Sequence, residues 1–559
     1  MAKKSKQPLT KSKSIEIFDF DTIVGKYFYL IIPLLVIIYY LYSTFSDGFY
    51  QDEEYGHFFS MLRFWDNPAL ILGNWDKPGY KILYVIPSLL GYQFVVFINT
   101  VLTAFTAYMV YQVGKQLKIK NSSVMAIIFA FQPFILQFSF RCYAEMLTGL
   151  LVLLTLYYYY KKNNFLTALF STWTFAVRQE FALISIILGV IFLIPVYKRF
   201  FDKNETELKA KPLSHFVLNN IIPFFVLGLS PVIINVAGYI AFGDPMYLIT
   251  NMRSIGLEML MPKKGFFHYP GMLIFIIGPV SMGLLLVGYF GFLRRKEAMK
   301  EFFDKYGMLF TVFTVFFVVQ ILLVWDFINI GPNPGTLRYL IPISPIIALF
   351  GGIGLEYIMK GSDKKYVYLL LGAGVIITLA FLSYKTDRTI MLSEKEYLKF
   401  AVMLILFVLA LFTIELKMNQ KILVTMVLLL GIGFTIIDEK PIKLDPERQT
   451  IRQVADWWRA NGYDKRVTMM NHTYFYFTIG VYDQHKQLDK YPNILKANLQ
   501  KVPVGTIVLW DSHYNNRPEY KLDVPLEFFD NNPNFKFIEQ FTSSNRRFGI
   551  VAFEKIKDY

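Results

Sequence analysis

Apolar runs long enough to cross a bilayer recur from residue 27 to residue 437, and they limit the fold more than any other feature. A segment inside lipid must satisfy every backbone N–H and C=O internally, which leaves helices or closed barrels. The runs here are continuous rather than alternating, so they predict helices of ~20 residues each. The candidate spans are 27–46, 82–114, 122–140, 146–160, 164–177, 181–197, 214–242, 271–293, 308–327, 338–358, 366–384, 397–414 and 421–437. Two of them, 146–160 and 164–177, are short enough to be tilted or partly re-entrant. Only 18% of the 559 residues are charged and 54% are hydrophobic, where a soluble domain has about 25% charged residues. The fold class expected is an α-helical polytopic membrane protein of about 13 transmembrane helices.

A net charge of +15 invites a nucleic-acid reading, and the position of the charge excludes it. From Asp438 onward 18 Lys and Arg face 16 Asp and Glu, so the surplus lies in the membrane part. There it clusters in alternate loops, at Lys115, Lys118 and Lys120, at Lys198, Arg199 and Lys203, and at Arg294, Arg295 and Lys296. Basic loops stay on the cytoplasmic side, which predicts a basic cytoplasmic tail over 1–26 and extracytoplasmic loops over 47–81 and 243–270. The first twenty residues lack an apolar core before a cleavage site, so span one is expected to anchor itself. An odd number of spans places the C-terminus outside.

After Asp438 the apolar runs stop. The stretch "TIRQVADWWRANGY" reads as an amphipathic helix ending at Gly462, and "RVTMMN", "TIVLWD", "FKFIEQF" and "FGIVAFEK" read as strands. Residues 438–559 are therefore expected to form a small extracytoplasmic α/β domain beside the transmembrane domain 27–437. The single cysteine, Cys142, excludes an internal disulfide. No nucleotide or zinc fingerprint occurs, which points away from a nucleotide-driven pump.

The candidate functional residues are charges at or inside the outer ends of spans; a charge at the membrane centre costs ~2.5–3.5 kcal/mol and is normally paired or functional. They are Asp52, Glu53, Lys77, Arg141, Glu145, Arg178, Glu180, His268 and Arg338. Acids there can accept a proton or bind hydroxyls, and bases can hold a phosphate. Each also has a plainer reading. Asp52 and Glu53 suit a helix N-terminus, Lys77 can snorkel, and Arg141 and Glu145 stand at i,i+4 spacing. Glu54 reads as an ordinary acid of the first turn, and His57 as amphipathic filler.

The order of "YQDEEYGHF" after span one, "NWDKPGYKILYVIPSLLGY" before span two and "GTLRYLIPISPIIALFGG" near span ten resembles the C-type (GT-C) glycosyltransferase superfamily. Within it the pattern is similar to protein mannosyltransferases and the lipid A aminoarabinose transferase. The resemblance implies transfer of a sugar from a polyprenyl-phosphate donor to a lipid, glycan or protein acceptor outside the cytoplasm, in an inner (plasma) membrane. It implies Asp52 as general base with Glu53 beside it, and Lys77 and Arg338 on the donor phosphate. Arg141, Glu145, Arg178, Glu180 and His268 complete the expected substrate-binding set. No cofactor is implied, and a divalent metal stays open. The competing function is a transporter or flippase of a lipid-linked or anionic substrate, which would more often show repeated halves with matching broken helices.

Overall fold

The computed structural model describes residues 17–72, 77–250, 264–325, 335–361, 363–383, 394–517, 522–530 and 532–558. The expected tail over 1–26 therefore falls largely outside the described residues, as do 251–263 of the expected loop 243–270.

Ten described helical stretches, from Phe28–Phe45 to Gln420–Asp438, are long and apolar enough to cross a membrane. They coincide with ten of the thirteen expected spans. The other three, 122–140, 146–160 and 164–177, are built from shorter helices. Ser122–Ala130 and Pro133–Phe138 are separate because Pro133 forces Gln132 into extended backbone (φ −62, ψ 143). Glu145–Tyr160 has 16 residues and Asn164–Val177 has 14. At 1.5 Å per residue they reach about 24 and 21 Å, less than the ~30 Å of a hydrocarbon core. Because they stop early, the turns carrying Arg141, Glu145 and Arg178 end among neighbouring longer helices, and all three side chains are buried.

Span two starts later than expected. Pro78–Tyr84 and the turn Pro87–Leu90 precede the continuous helix Tyr92–Gln116. At the centre of the bundle His268–Tyr289 crosses Ser344–Lys360 at backbone contact. A Cβ on Gly288 would lie 1.8 Å from the Phe350 carbonyl oxygen, and one on Gly354 would lie 2.2 Å from that of Leu284. Only glycine allows this approach.

Beyond Asp438 the chain folds as a helix over a sheet. Asp445 caps Pro446–Ala460 by accepting the Arg448 N–H at 3.0 Å. The helix buries Ile451, Val454, Ala455 and Trp458 in one cluster with Ile507, Leu509, Ile550 and Ala552. The expected strands are β1 (Thr468–Met469), β2 (Ile507–Asp511), β5 (Phe535–Thr542) and β6 (Gly549–Lys555). A separate short hairpin joins β3 (Asn516–Arg517) to β4 (Leu522–Asp523). The sheet order is β1-β2-β6-β5, with β1 and β2 parallel and the other pairs antiparallel. The helix Thr473–Ile479 was not legible in the sequence. Its Tyr474 and the following Phe477 pack on Phe49 and Tyr55 of the loop after span one, seating the C-terminal unit on that end of the bundle.

Candidate active site

Three acids in succession leave span one at the start of the helix Glu53–Leu62. Side chains on a helical turn project about 100° apart, and these three reach three different surroundings.

Glu54 points inward and is 1% exposed. Its Oε1 accepts the Tyr92 hydroxyl at 3.0 Å and its Oε2 accepts Nη1 of Arg141 at 3.0 Å. Arg141 also donates to the carbonyls of Gly48 (3.0 Å) and Gln137 (2.9 Å) and to the Ser46 hydroxyl (3.2 Å). Every guanidinium nitrogen is engaged, and the pair pins the exit of span one. The i,i+4 pairing of Arg141 with Glu145 does not form. Glu145 is the first residue of its helix, so the four residues before it lack helical spacing. Arg141 therefore stands apart from the cavity described next.

Glu53 turns toward the cations. Its Oε2 accepts Nη2 of Arg338, which sits on the 3₁₀ turn Leu337–Ile343. Arg338 and Arg178 share Oε1 of Glu145, with Nη1 of Arg178 at 2.7 Å and Nε of Arg338 at 3.6 Å. Nε of Arg178 donates to Glu180 at 2.7 Å. The Arg338 guanidinium lies 4.4 Å over the Tyr143 ring and that of Arg178 lies 4.6 Å over Tyr339. Such stacking holds both planes. Lys77 lines the same cavity with Glu53, His57, Tyr143, Glu145, Arg178, Arg338 and Tyr339. Burial and then Arg178 push its ammonium pKa down, against the pull of Glu180, Glu145 and Glu53. Among the described residues, Nε and Nη1 of Arg338 and Oε2 of Glu145 make no hydrogen bond. Buried donors left open in this way can receive an anion.

His268 does not line this cavity. Its Nε2 contacts the Gly335 carbonyl at 2.8 Å, and the Tyr269 hydroxyl donates to the Thr336 carbonyl at 3.3 Å. The two hold the backbone that leads into Arg338. His57, which the sequence made filler, is buried against Tyr80 and Tyr143. Burial, then the charges of Lys81, Arg338 and Lys77, push its pKa well below the usual histidine value.

Asp52, expected beside Lys77 and Arg338, is held elsewhere. Its Oδ1 accepts Nη2 of Arg448 and its Oδ2 accepts the Tyr514 hydroxyl at 2.7 Å, both from the C-terminal unit. Burial raises its carboxyl pKa, but Arg448 and Tyr514 outweigh this and the net direction is down. Of the expected residues, the structure thus joins Glu53, Lys77, Glu145, Arg178, Glu180 and Arg338, and leaves out Asp52, Arg141 and His268. The sequence did not single out Tyr143 or Tyr339. Their signal was adjacency, since Tyr339 follows Arg338 and Tyr143 lies two residues before Glu145.

No family model matches the chain, and neither does any curated protein. Among solved structures, two of ArnT from Cupriavidus metallidurans do. The one bound to undecaprenyl phosphate superposes with a TM-score of 0.50 at 9% identity, covering 95% of this chain and 98% of that one. The apo one gives 0.51 at 10% identity with the same coverage. The chain therefore shares the overall fold of these ArnT structures over most of its length.

Proposed function

We propose that this protein is an integral-membrane glycosyltransferase that moves a sugar, hexosyl or pentosyl, from a polyprenyl-phosphate donor to an acceptor hydroxyl. The observation that carries this reading is the buried cavity in which Lys77, Arg178 and Arg338 meet Glu53, Glu145 and Glu180. The GT-C fold supports it, as does a structural neighbour that binds undecaprenyl phosphate. In this reading the reaction takes place on the extracytoplasmic face of an inner membrane, with the N-terminus in the cytoplasm, an orientation that the distribution of basic loops supports.

A phosphate-linked sugar already carries its leaving group. The protein has to hold the phosphate as charge develops on it and take the proton from the attacking hydroxyl. Arg338 supplies a planar donor fork and Lys77 a point charge. Glu145, itself held by Arg178, pairs with Arg338. Glu53 is paired with Arg338 at rest, so a phosphate arriving on Arg338 releases its carboxylate to act as base. The geometry therefore favours Glu53 for the role that the resemblance gives to Asp52, and makes Asp52 the contact with the C-terminal unit.

The test is donor binding and turnover by purified protein with polyprenyl-phosphate sugars. Lys77→Ala and Arg338→Ala should each weaken donor binding by about tenfold or more, a charged hydrogen bond being worth ~1.5–3 kcal/mol. Lys77→Arg should recover part of it. Unchanged donor affinity in both alanine variants would remove the phosphate assignment.

A further inference from the structure

Outside the cavity, a second cluster of chemistry-bearing side chains lies in the C-terminal unit. Glu447 stands in the first turn of Pro446–Ala460, His472 caps Thr473–Ile479, and His513 lies in the turn after β2. These residues are far apart in sequence, yet Oε1 of Glu447 meets Nε2 of His472 at 2.9 Å and Nδ1 of His513 on its other side. One donor atom from each lies within 4.8 Å of the other two. We propose that Glu447, His472 and His513 form a binding site for a divalent transition-metal ion, zinc by preference.

Two imidazoles and a carboxylate form a donor set suited to zinc, with a fourth position left for water or another ligand. Ligands around a tetrahedral zinc stand roughly 3.4 Å apart at bond lengths of about 2.1 Å. Small rotamer changes bring these three atoms to that spacing. The site is supported from behind. Oδ1 of Asp511 accepts the backbone N–H groups of His513 (3.0 Å) and Tyr514 (2.7 Å), which fixes the turn. His472 is 1% exposed and its ring sits edge-on to Tyr514. Glu447 and His513 are half-buried, which leaves a path for an ion. One contact must be exchanged. Nδ1 of His472 accepts the Tyr474 N–H at 3.2 Å, and a metal on Nε2 would move the ring proton to Nδ1 and replace that long cap bond.

The location gives the site a consequence. Arg448 follows Glu447 and Tyr514 follows His513, and these are the two residues that hold Asp52. An ion bridging Glu447 and His513 would fix the helix and the turn that together grip the loop after span one.

The experiment uses the full-length chain in detergent, stripped with chelator and then titrated with zinc or cobalt. The wild type should bind one equivalent, give the visible bands of tetrahedral cobalt, and melt at a higher temperature with zinc. Glu447→Gln and His513→Gln, the latter at a half-exposed position where folding is least at risk, should each bind at least about tenfold more weakly and lose the zinc-dependent melting shift. Absence of cobalt bands in the wild type would overturn the site. So would metal binding of equal affinity in both folded variants, which would place the ion elsewhere. None of these readouts depends on sugar transfer.

Discussion

Asp52 and Arg448, 396 residues apart, are joined carboxylate to guanidinium where the loop after span one meets the C-terminal unit. With the Tyr514 hydroxyl on its other oxygen, Asp52 is a polar anchor of a contact that also includes the aromatic packing on Phe49 and Tyr55 and the Arg63–Asp483 ion pair at 3.2 Å. Against burial, the Arg448 guanidinium and the Tyr514 hydroxyl hold its folded carboxyl below the ordinary aspartate range. A depressed acid stabilises the fold above its unfolded pKa, and that contribution is lost as pH falls through the folded value. Protease protection of the C-terminal unit should therefore hold at pH 7 and weaken below about pH 4. Arg448→Ala should show the weaker protection already at pH 7, at a cost of about 1–3 kcal/mol. Wild-type protection in Arg448→Ala at neutral pH would refute the contact.

Glu53 and Asp52 can be separated by kinetics. A positioned base contributes ~10²–10⁴-fold, so Glu53→Gln should lose at least about a hundredfold in kcat while still binding donor. Asp52→Asn should lose less, through a loosened C-terminal unit. If Asp52→Asn is the inactive variant and Glu53→Gln turns over normally, the base is Asp52.

Arg141 should behave as a structural residue. Removing it leaves Glu54 charged, buried and short of its partner, which typically costs 3–5 kcal/mol. Arg141→Ala is expected to fail in thermal-stability and expression assays, and the double variant Arg141→Met/Glu54→Gln to recover part of the loss. A stable Arg141→Ala protein with impaired donor binding would instead assign Arg141 to the substrate.

Glu439, just after the last span, gives a pH effect of opposite sign. Burial, then the neighbouring Asp438 charge, raise its carboxyl pKa to about 7, against the pull of Gln137 and Lys399. Between pH 4.5, the ordinary glutamate value, and about 7, the folded state therefore holds a proton that the unfolded state has released. Its contribution is full below the unfolded value and lost as pH rises to the folded one. Glu439→Gln should be more stable than wild type at pH 8, by on the order of 2 kcal/mol after allowance for solvent screening, with the gain disappearing at pH 5. A melting difference independent of pH would contradict this.

The sequence was most legible where one element determines its own fate. Long apolar runs give helices without reference to a partner, and the short β-rich runs "TIVLWD" and "FGIVAFEK" give strands buried on both faces. The charges of the site were legible as a set, because Arg178 or Arg338 among apolar neighbours is costly unless used. Their pairing was not. Glu53 finds Arg338 from 285 residues away and Asp52 finds Arg448 from 396, and no local period encodes such contacts. The i,i+4 spacing of Arg141 and Glu145 misled for a related reason, since it has meaning only inside a helix that begins at Glu145. Glu447, His472 and His513 have no common motif spacing; the parallel β1-β2 pairing brings the segments carrying His472 and His513 side by side, and the helix packed on the sheet adds Glu447.

The matched charges of the cavity bear on turnover. Among the described residues lining or bracing it, three cations face three carboxylates, so at rest it exerts little net attraction on an anion. In the proposed reaction the donor is a phosphodiester with one negative charge, and the lipid phosphate left behind is a monoester able to carry two. On the proposed reading the spent carrier would then bind more tightly than the donor. Accumulated lipid phosphate would act as a competitive inhibitor of the donor, so a cell that runs this reaction would also have to clear the spent carrier from the membrane.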